Sequence, residues 1–215
     1  SAADLVKPGL QPGDRVGIWS PNRYEWVLTQ FATAKAGLIL VNVNPAYRIS
    51  ELEFALTKVG CKALILAPSF KSSDYIGMLR QLAPELATSA VGELQAARLP
   101  TLRTVILTDD ARVPGFMPFR SVETLGTEIE RERLHELRTL LQPEDPINIQ
   151  FTSGTTGLPK GATLSHHNIV NNGYFVASHM GFTHEDSLCI PVPLYHCFGM
   201  VMGVLGCVTH GAVMI

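Results

Sequence analysis

Short apolar runs alternate along the chain with stretches whose apolar residues recur at helical spacing. The first run, Arg15 to Trp19, precedes a helical pattern from about Arg23 to Ala36, and Gly37 is placed to end that helix. Further strand-like runs occupy residues 38–41, 63–66 and 104–107, and helical patterns near residues 75–82 and 128–141 cover them. This βαβαβ order predicts the α/β class, with a doubly wound, mostly parallel sheet and helices on both faces.

One more helix is predicted between the second and third of these strands. Ser50 and Glu53 have the spacing of a capping box, an apolar pattern follows them, and Gly60 can close the helix. We interpret Glu51 and Glu53 as residues that start this helix, where the helix dipole favours them, and not as catalytic carboxylates.

The stretch from residue 147 to residue 165 predicts two extended segments joined by a glycine-rich loop. Apolar and polar residues alternate from Ile147 to Phe151, as in a half-exposed strand, and residues 162–164 form a second extended piece. Ser165 is in position to cap a helix that begins near His166. Because doubly wound sheets bind ligands at the carboxyl ends of their strands, the loop after Phe151 is a candidate binding site.

Two other stretches interrupt the regular pattern. Residues 108–121 are rich in Pro, Gly and Arg, and they predict a surface connection. Phe198 to Val208 is an apolar run with Gly199 and Gly203 at the spacing found in membrane helix pairs. A bilayer needs about 20 residues, so this shorter run predicts a core helix.

Composition and charge restrict the class of protein. A chain of 215 residues with 46% hydrophobic and 17% charged residues can bury a sizeable core. The formal net charge of -2 offers no long-range attraction to nucleic acid or anionic lipid, so we expect neither as a partner. The cysteines lack paired spacing and lie among apolar residues, which predicts reduced core thiols; they are Cys61, Cys189, Cys197 and Cys207.

The two ends of the chain resemble interior positions of a longer protein. The chain starts in what reads as a loop before a strand, without an initiating Met or a targeting segment. It ends in the apolar run Ala212 to Ile215, without a turn or a cap. We therefore expect residues 1–215 to be part of one domain that is truncated at both ends.

The loop between Phe151 and Gly161 combines hydroxyl groups, glycines and one lysine. Glycines allow successive backbone N–H groups to turn toward one anion, the hydroxyls add donors, and Lys160 adds a full positive charge. The hydroxyl groups belong to Thr152, Ser153, Thr155 and Thr156. This density of donors predicts a site for a polyphosphate such as ATP.

Other interpretations of these residues are weaker. A Walker loop would need a glycine before Lys160, a Ser or Thr after it and a helix at once, whereas Pro159 and Gly161 flank this lysine. A dinucleotide-binding G-x-G-x-x-G spacing is absent, and a plain flexible hairpin would not require this combination of residues. His166 and His167 begin a helix, where histidine is a common surface residue, so no role is assigned to them.

The residues around His196 have alternatives as well. Cys197 beside His196 could be mistaken for a nucleophile and base pair, but adjacent residues rarely face each other as proton transfer needs. A zinc site would lack the usual paired ligand spacing; its possible ligands are His196, Cys197, Cys207 and His210. Judged alone, His196 is a core or turn histidine.

Two motifs together support a resemblance to a known family. Thr152 to Gly161 resembles the signature loop of the adenylate-forming, or AMP-binding, superfamily, which includes acyl-CoA synthetases, luciferases and peptide-synthetase adenylation domains. Pro193 to Met200 follows about 40 residues later, where that superfamily carries an aromatic-His motif beside its acyl pocket. Within the superfamily, residues 163–172 and 191–197 are similar to mitochondrial medium-chain acyl-CoA synthetases.

The resemblance implies a two-step ligase and a mitochondrial location. A fatty acid carboxylate attacks Mg-ATP to give an acyl-adenylate and pyrophosphate, and the thiol of coenzyme A then displaces AMP. The implied catalytic residue is His196, which would line the acyl and adenylate site with Tyr195 and Phe198 nearby. The implied nucleotide-binding residues are Thr152, Ser153, Gly154, Thr155, Thr156, Gly157, Leu158, Pro159 and Lys160, and no metal ligand is assigned.

Parts of the family pattern are missing from the 215 residues. We find no Y-G-x-T-E motif for magnesium and adenine, no T-G-D aspartate for the ribose, and no swinging C-terminal domain with its lysine. We therefore expect the 215-residue chain by itself to be inactive. Two other functions remain open: a non-catalytic truncated product that binds nucleotide or a partner, and a kinase-like or other phosphate-loop enzyme.

Overall fold

A seven-stranded sheet forms the centre of the computed structural model, which describes residues 9–122, 124–152 and 159–215. In chain order the strands are β1 (Arg15–Trp19), β2 (Ile39–Asn42), β3 (Cys61–Leu66), β4 (Ser69–Phe70), β5 (Ser73–Asp74), β6 (Thr104–Leu107), β7 (Met117–Pro118), β8 (Pro146–Thr152), β9 (Lys160–Ser165), β10 (Ser187–Leu188) and β11 (Val213–Met214). The large sheet has the order β7-β6-β3-β1-β2-β8-β9, while β4 pairs with β5 and β10 pairs with β11.

Helices cover both faces of this sheet. The α-helices are α1 (Tyr24–Lys35), α2 (Ile49–Val59), α3 (Tyr75–Leu82), α4 (Phe119–Val122), α5 (Glu128–Leu140), α6 (His166–His179) and α7 (Gly206–His210), with a 3-10 turn at Pro84–Ala87 and a π-helix at Phe198–Leu205. On one face, Leu52 of α2 and Leu79 of α3 pack against Leu64 of β3. On the other face, Trp26 of α1 and Val204 of the π-helix belong to the cluster around β1 and β2.

The pairing of the strands confirms the predicted fold class. Strand β1 pairs in parallel with both β2 and β3, β6 pairs in parallel with β3, and β8 pairs in parallel with β2. Strand β9 alone among the described strands of the large sheet runs antiparallel, because a short hairpin connects it to β8. The α/β, doubly wound, mostly parallel arrangement follows from buried strands that alternate with helices.

The start of α2 differs from the predicted capping box. The helix begins at Ile49, and the backbone N–H of Arg48 donates to the Glu51 carboxylate at 3.1 Å. Glu51 is therefore a helix-start residue, as predicted, but Glu53 is not. The Glu53 carboxylate accepts two hydrogen bonds from Arg98, at 2.8 and 2.5 Å. At the other end, Gly60 closes the helix with φ of 64°, as expected of a left-handed C-cap.

The predicted surface connection at residues 108–121 is in part a piece of the sheet. Met117 and Pro118 form β7, which pairs in parallel with β6, and the side chain of Phe116 is buried. A strand of two residues is too short to produce an alternating pattern, so the surrounding turn residues are visible in the sequence and the strand cannot be predicted from it.

The apolar run from Phe198 is helical, as predicted, but its first eight residues form a π-helix. Met200, Val201 and Leu205 pack against Ile169 of α6 and Ile147 of β8. In the part of the chain that the structure describes, no helix combines the length and the apolar character needed to span a bilayer.

The four cysteines are free thiols with different exposure. Cys61 and Cys207 are buried and Cys197 is half-buried, whereas Cys189 is exposed. The prediction of core thiols is therefore wrong for Cys189, which lies just after the short edge strand β10. Burial raises the pKa of the Cys61 thiol to about 12 and also raises the pKa of Cys207 and of Cys197.

This difference predicts the order in which the thiols react. With a disulfide reagent at mildly alkaline pH, we expect Cys189 to react first in the folded protein, because the thiolate is the reacting form and must be accessible. Cys61 should react only after unfolding. Mass spectrometry of labelled peptides measures both rates, and a fast phase that survives Cys189→Ser would contradict the assignment.

Candidate active site

The carboxyl ends of the parallel strands define one edge of the large sheet. Strand β8 is in register with β2, so that Asn42, the last residue of β2, lies opposite Gln150. Thr152 therefore extends beyond the end of β2, toward the side on which doubly wound sheets bind ligands. The predicted phosphate loop follows Thr152 directly, so it leaves the sheet at this edge.

Thr152 and Lys160 lie opposite each other at the loop end of the β8–β9 hairpin. They form the last described residue pair of the hairpin, and the Thr152 hydroxyl donates to the Lys160 carbonyl at 3.4 Å. Both side chains are exposed, and Pro159 beside them is half-buried. These two residues therefore border residues 153–158 on either side, with exposed side chains.

The rest of the predicted loop lies outside the described residues, namely Ser153, Gly154, Thr155, Thr156, Gly157 and Leu158. Its two ends are nevertheless informative. Lys160 is the first residue of a strand, whereas the lysine of a Walker loop stands at the start of a helix. The two extended segments expected on either side of the loop are therefore confirmed. The phosphate-binding role of the loop stays a prediction.

A second segment reaches the same edge through an asparagine that the sequence analysis missed. Asn22 follows β1, and its amide donates to the carbonyl of Val192 at 2.9 Å. Its Oδ1 accepts from the backbone N–H of Leu194 at 2.8 Å. These two bonds hold the segment before His196 at the carboxyl end of β1. An Asn three residues after the end of a strand is the available signal, but its partners lie far along the chain.

His196 stands at the end of this segment with one ring nitrogen engaged. Its side chain is exposed, and Nδ1 accepts from the backbone N–H of Phe198 at 3.2 Å. An accepting Nδ1 carries no proton, so the neutral ring has its proton on Nε2 and can donate it. The ring of Tyr195 stands edge-on to it, with the centroids 6.4 Å apart.

A cavity of about 450 Å³ lies beside Tyr195. Asn22, Asn44, Phe70 and Pro193 contribute to its lining. The loop after β2 is fixed by two buried aromatic donors: Trp19 Nε1 donates to the carbonyl of Asn44 at 3.2 Å, and the Tyr75 hydroxyl donates to the carbonyl of Pro45 at 2.5 Å. The rings of Trp19 and Tyr75 also stack, with their centroids 3.6 Å apart, so the two donors that hold this wall of the cavity support each other.

The structure gives the alternative chemistries little support. Burial raises the pKa of Cys197, which disfavours the thiolate that a nucleophile needs. His210 hydrogen-bonds Ser178 through Nε2 at 3.0 Å, and within the described ranges no group of three or more His, Cys, Asp or Glu side chains could hold a metal ion. Burial lowers the pKa of His166, which begins α6 as predicted.

Comparison with known proteins shows similarity along the whole chain. The family of AMP-binding enzymes matches residues 1–215. The mitochondrial medium-chain acyl-CoA ligase ACSF2 of Danio rerio is 52% identical over 217 residues, and the human ACSF2 is 48% identical over 223 residues. The putative acyl-CoA synthetase YngI of Bacillus subtilis is 41% identical over 215 residues. These matches cover 100% of this chain but 36%, 36% and 39% of the relatives, so the chain spans little more than a third of their length.

Solved structures are similar to the described fold. The anthranilate CoA ligase AuaEII in complex with anthranoyl-AMP has a TM-score of 0.78 at 19% identity, covering 100% of this chain and 38% of that protein. ATP-bound MatB from Rhodopseudomonas palustris has a TM-score of 0.72 at 23% identity, covering 100% of this chain and 37% of that protein. At these identities the similarity establishes a shared fold.

Proposed function

Since the chain belongs to the family of AMP-binding enzymes, we propose that it is the front part of an ATP-dependent acyl-CoA ligase that acts on medium-chain fatty acids. In this proposal residues 1–215 are one part of the adenylation domain, and the longer protein is mitochondrial like the ACSF2 relatives it resembles. One observation carries the proposal: Thr152 and Lys160 flank the glycine-rich loop at the carboxyl edge of the parallel sheet.

The first step of the proposed reaction is adenylate formation. The fatty acid carboxylate attacks the α-phosphate of ATP, the bond to the β-phosphate breaks, and pyrophosphate leaves. Lys160, the Thr152 hydroxyl and the donors of residues 153–158 would bind the β- and γ-phosphates. These groups would stabilise the negative charge that develops on the leaving pyrophosphate.

The second step is transfer of the acyl group to coenzyme A, whose thiol attacks the acyl carbon while AMP leaves. His196 would line the position where the acyl carboxylate and the adenylate meet, with the proton of Nε2 available as a donor. Mg²⁺ would supply charge neutralisation of the phosphates. The described residues contain no cluster of three or more side chains suited to holding it, so no step is assigned to the metal.

The proposal is tested with the protein expressed at its full natural length. We expect exchange of pyrophosphate into ATP that requires a fatty acid, and thioester formation with coenzyme A that is fastest for acids of medium length such as octanoate. The 215-residue chain, assayed in parallel, should show no turnover. Nucleotide binding by the full-length protein without acid-dependent exchange would instead identify a non-catalytic nucleotide-binding protein.

A further inference from the structure

We propose that a buried amide and thioether cluster, formed by Asn42, Asn148, Gln150 and Met200, is a positioning network. It would fix the strand that leads into the phosphate loop against the helix that follows His196. The kinetic consequence rests on the proposed ligase function, whereas the mechanical coupling does not.

The cluster joins two strands and the π-helix through short contacts. Asn42 and Gln150 each donate from the side-chain amide to Oδ1 of Asn148, at 3.0 and 3.1 Å. Met200 covers this row, and its sulfur lies 3.5 Å from the amide nitrogens of Asn42 and Asn148 and 4.0 Å from that of Gln150. One thioether thus accepts from three amides that belong to neighbouring strands.

The cluster places polar side chains in a layer of the core whose neighbouring positions are apolar. Asn42 and Asn148 are each 1% exposed, and Met200 is fully buried. Leu40, two residues before Asn42 on the same face of β2, belongs to the apolar cluster on that face. Within the described chain Oδ1 of Asn42 has no hydrogen-bond partner, and an unpaired buried acceptor destabilises the folded state. Buried polar networks specify a single arrangement of the elements that they join, and this indicates a positional role for the cluster.

Both ends of the cluster lead directly to the candidate site. Gln150 is two residues before Thr152 on β8, so a shift of Gln150 along the strand shifts the start of the loop. On the other side, the backbone N–H of Met200 donates to the carbonyl of His196 at 3.1 Å. Met200 therefore connects the backbone of His196 with the strand that enters the loop. π-Helical turns often occur at functional sites.

A matched pair of substitutions separates this role from simple packing. Met200→Leu keeps the volume of the side chain and removes the sulfur acceptor, and Met202→Leu makes the same change two residues along the π-helix, where the side chain is only half-buried. In hydrogen exchange of the full-length protein, we expect Met200→Leu to speed exchange at least about threefold in peptides from both 146–152 and 193–198. Met202→Leu should leave both peptides unchanged.

The outcomes of this experiment are distinct. Faster hydrogen exchange that is restricted to the π-helix, or equal effects of the two variants on hydrogen exchange, would overturn the proposal.

The kinetic experiment measures acid-dependent pyrophosphate exchange. Met200→Leu should lower its kcat by roughly 10-fold or more, with little change in KM for ATP, because misplaced groups lose catalysis before binding. If the wild-type protein shows no acid-dependent pyrophosphate exchange, the ligase function is refuted. Hydrogen exchange would still decide whether the cluster couples the strand to the helix. A normal kcat in Met200→Leu would refute the positioning role.

Discussion

Lys160→Ala in the full-length protein is expected to slow acid-dependent adenylation by roughly 30-fold to 1,000-fold, which corresponds to about 2 to 4 kcal/mol of transition-state stabilisation. Lys160 is exposed at the loop end of the β8–β9 hairpin, paired with Thr152, and is the one lysine between Phe151 and Gly161. Charge accumulates on the pyrophosphate as it leaves, so a cation at this place acts more strongly on the transition state than on bound ATP. Pyrophosphate exchange measures the effect.

Two further variants serve as controls for this result. Lys58→Ala removes the same charge from an exposed lysine in the last turn of α2, which precedes β3 and so lies at the amino edge of the sheet. It should leave exchange unchanged. Lys160→Arg keeps the charge but changes its geometry, and an intermediate rate is expected. An exchange rate in Lys160→Ala equal to that of the wild-type protein would refute the assignment of the lysine to pyrophosphate.

Much of the fold could be predicted because its signals are local. The strand at Thr104–Leu107 and the helix at Tyr75–Leu82 have the predicted bounds, since buried runs and helical spacing are visible in a short window. Gly60 and Ser165 mark helix ends as expected because capping depends on single residues. The predicted start of α2 is wrong by two residues, because Ser50 and Glu53 carry the capping-box signature, whereas the residue that precedes the helix is Arg48, which the signature does not include.

What could not be predicted depends on contacts between distant residues. The hydrogen bonds of Asn22 to the segment before His196 join residues about 170 positions apart, and no periodicity records them. The π-helix is a single short stretch whose apolar residues fit an α-helix equally well. The cluster around Met200 likewise combines residues from β2, β8 and the π-helix. These long-range contacts are the ones that place His196.

Within the candidate site, Thr152 and Lys160 are predictable from the local pattern of the chain, whereas His196 is not. The position of Thr152 opposite Lys160 follows from the predicted strand, loop and strand order, so local pattern was sufficient. His196 was selected by resemblance to a family motif, because an isolated histidine beside prolines gives no physical signal. In the structure, Nδ1 of His196 accepts from the Phe198 backbone N–H, so the proton of the neutral ring is on Nε2.

Gly199→Ala is the second substitution with a large expected effect, because it acts on the backbone that positions His196. A Cβ atom at Gly199 would lie 2.5 Å from the carbonyl oxygen of Pro193 and 3.0 Å from that of Val192. These atoms belong to the backbone and cannot rotate away as a side chain could. The segment that carries them is held by Asn22, so either these hydrogen bonds or the start of the π-helix must give way.

The sign of the stability change in Gly199→Ala distinguishes this steric effect from helix propensity. Alanine is favoured over glycine in helices by about 1 kcal/mol, whereas overpacking costs about 1 to 3 kcal/mol. At Gly199 the added Cβ would clash with backbone atoms, which cannot rotate away. We therefore expect lower stability in denaturant unfolding of the full-length protein, together with slower adenylation. Gly206→Ala is the milder comparison and should cost less stability, because its Cβ would meet the Ala177 methyl group at 3.3 Å and a backbone atom only at 3.7 Å. A Gly199→Ala protein as stable and as active as the wild type would show that the segment before His196 moves freely, and that Asn22 does not fix it.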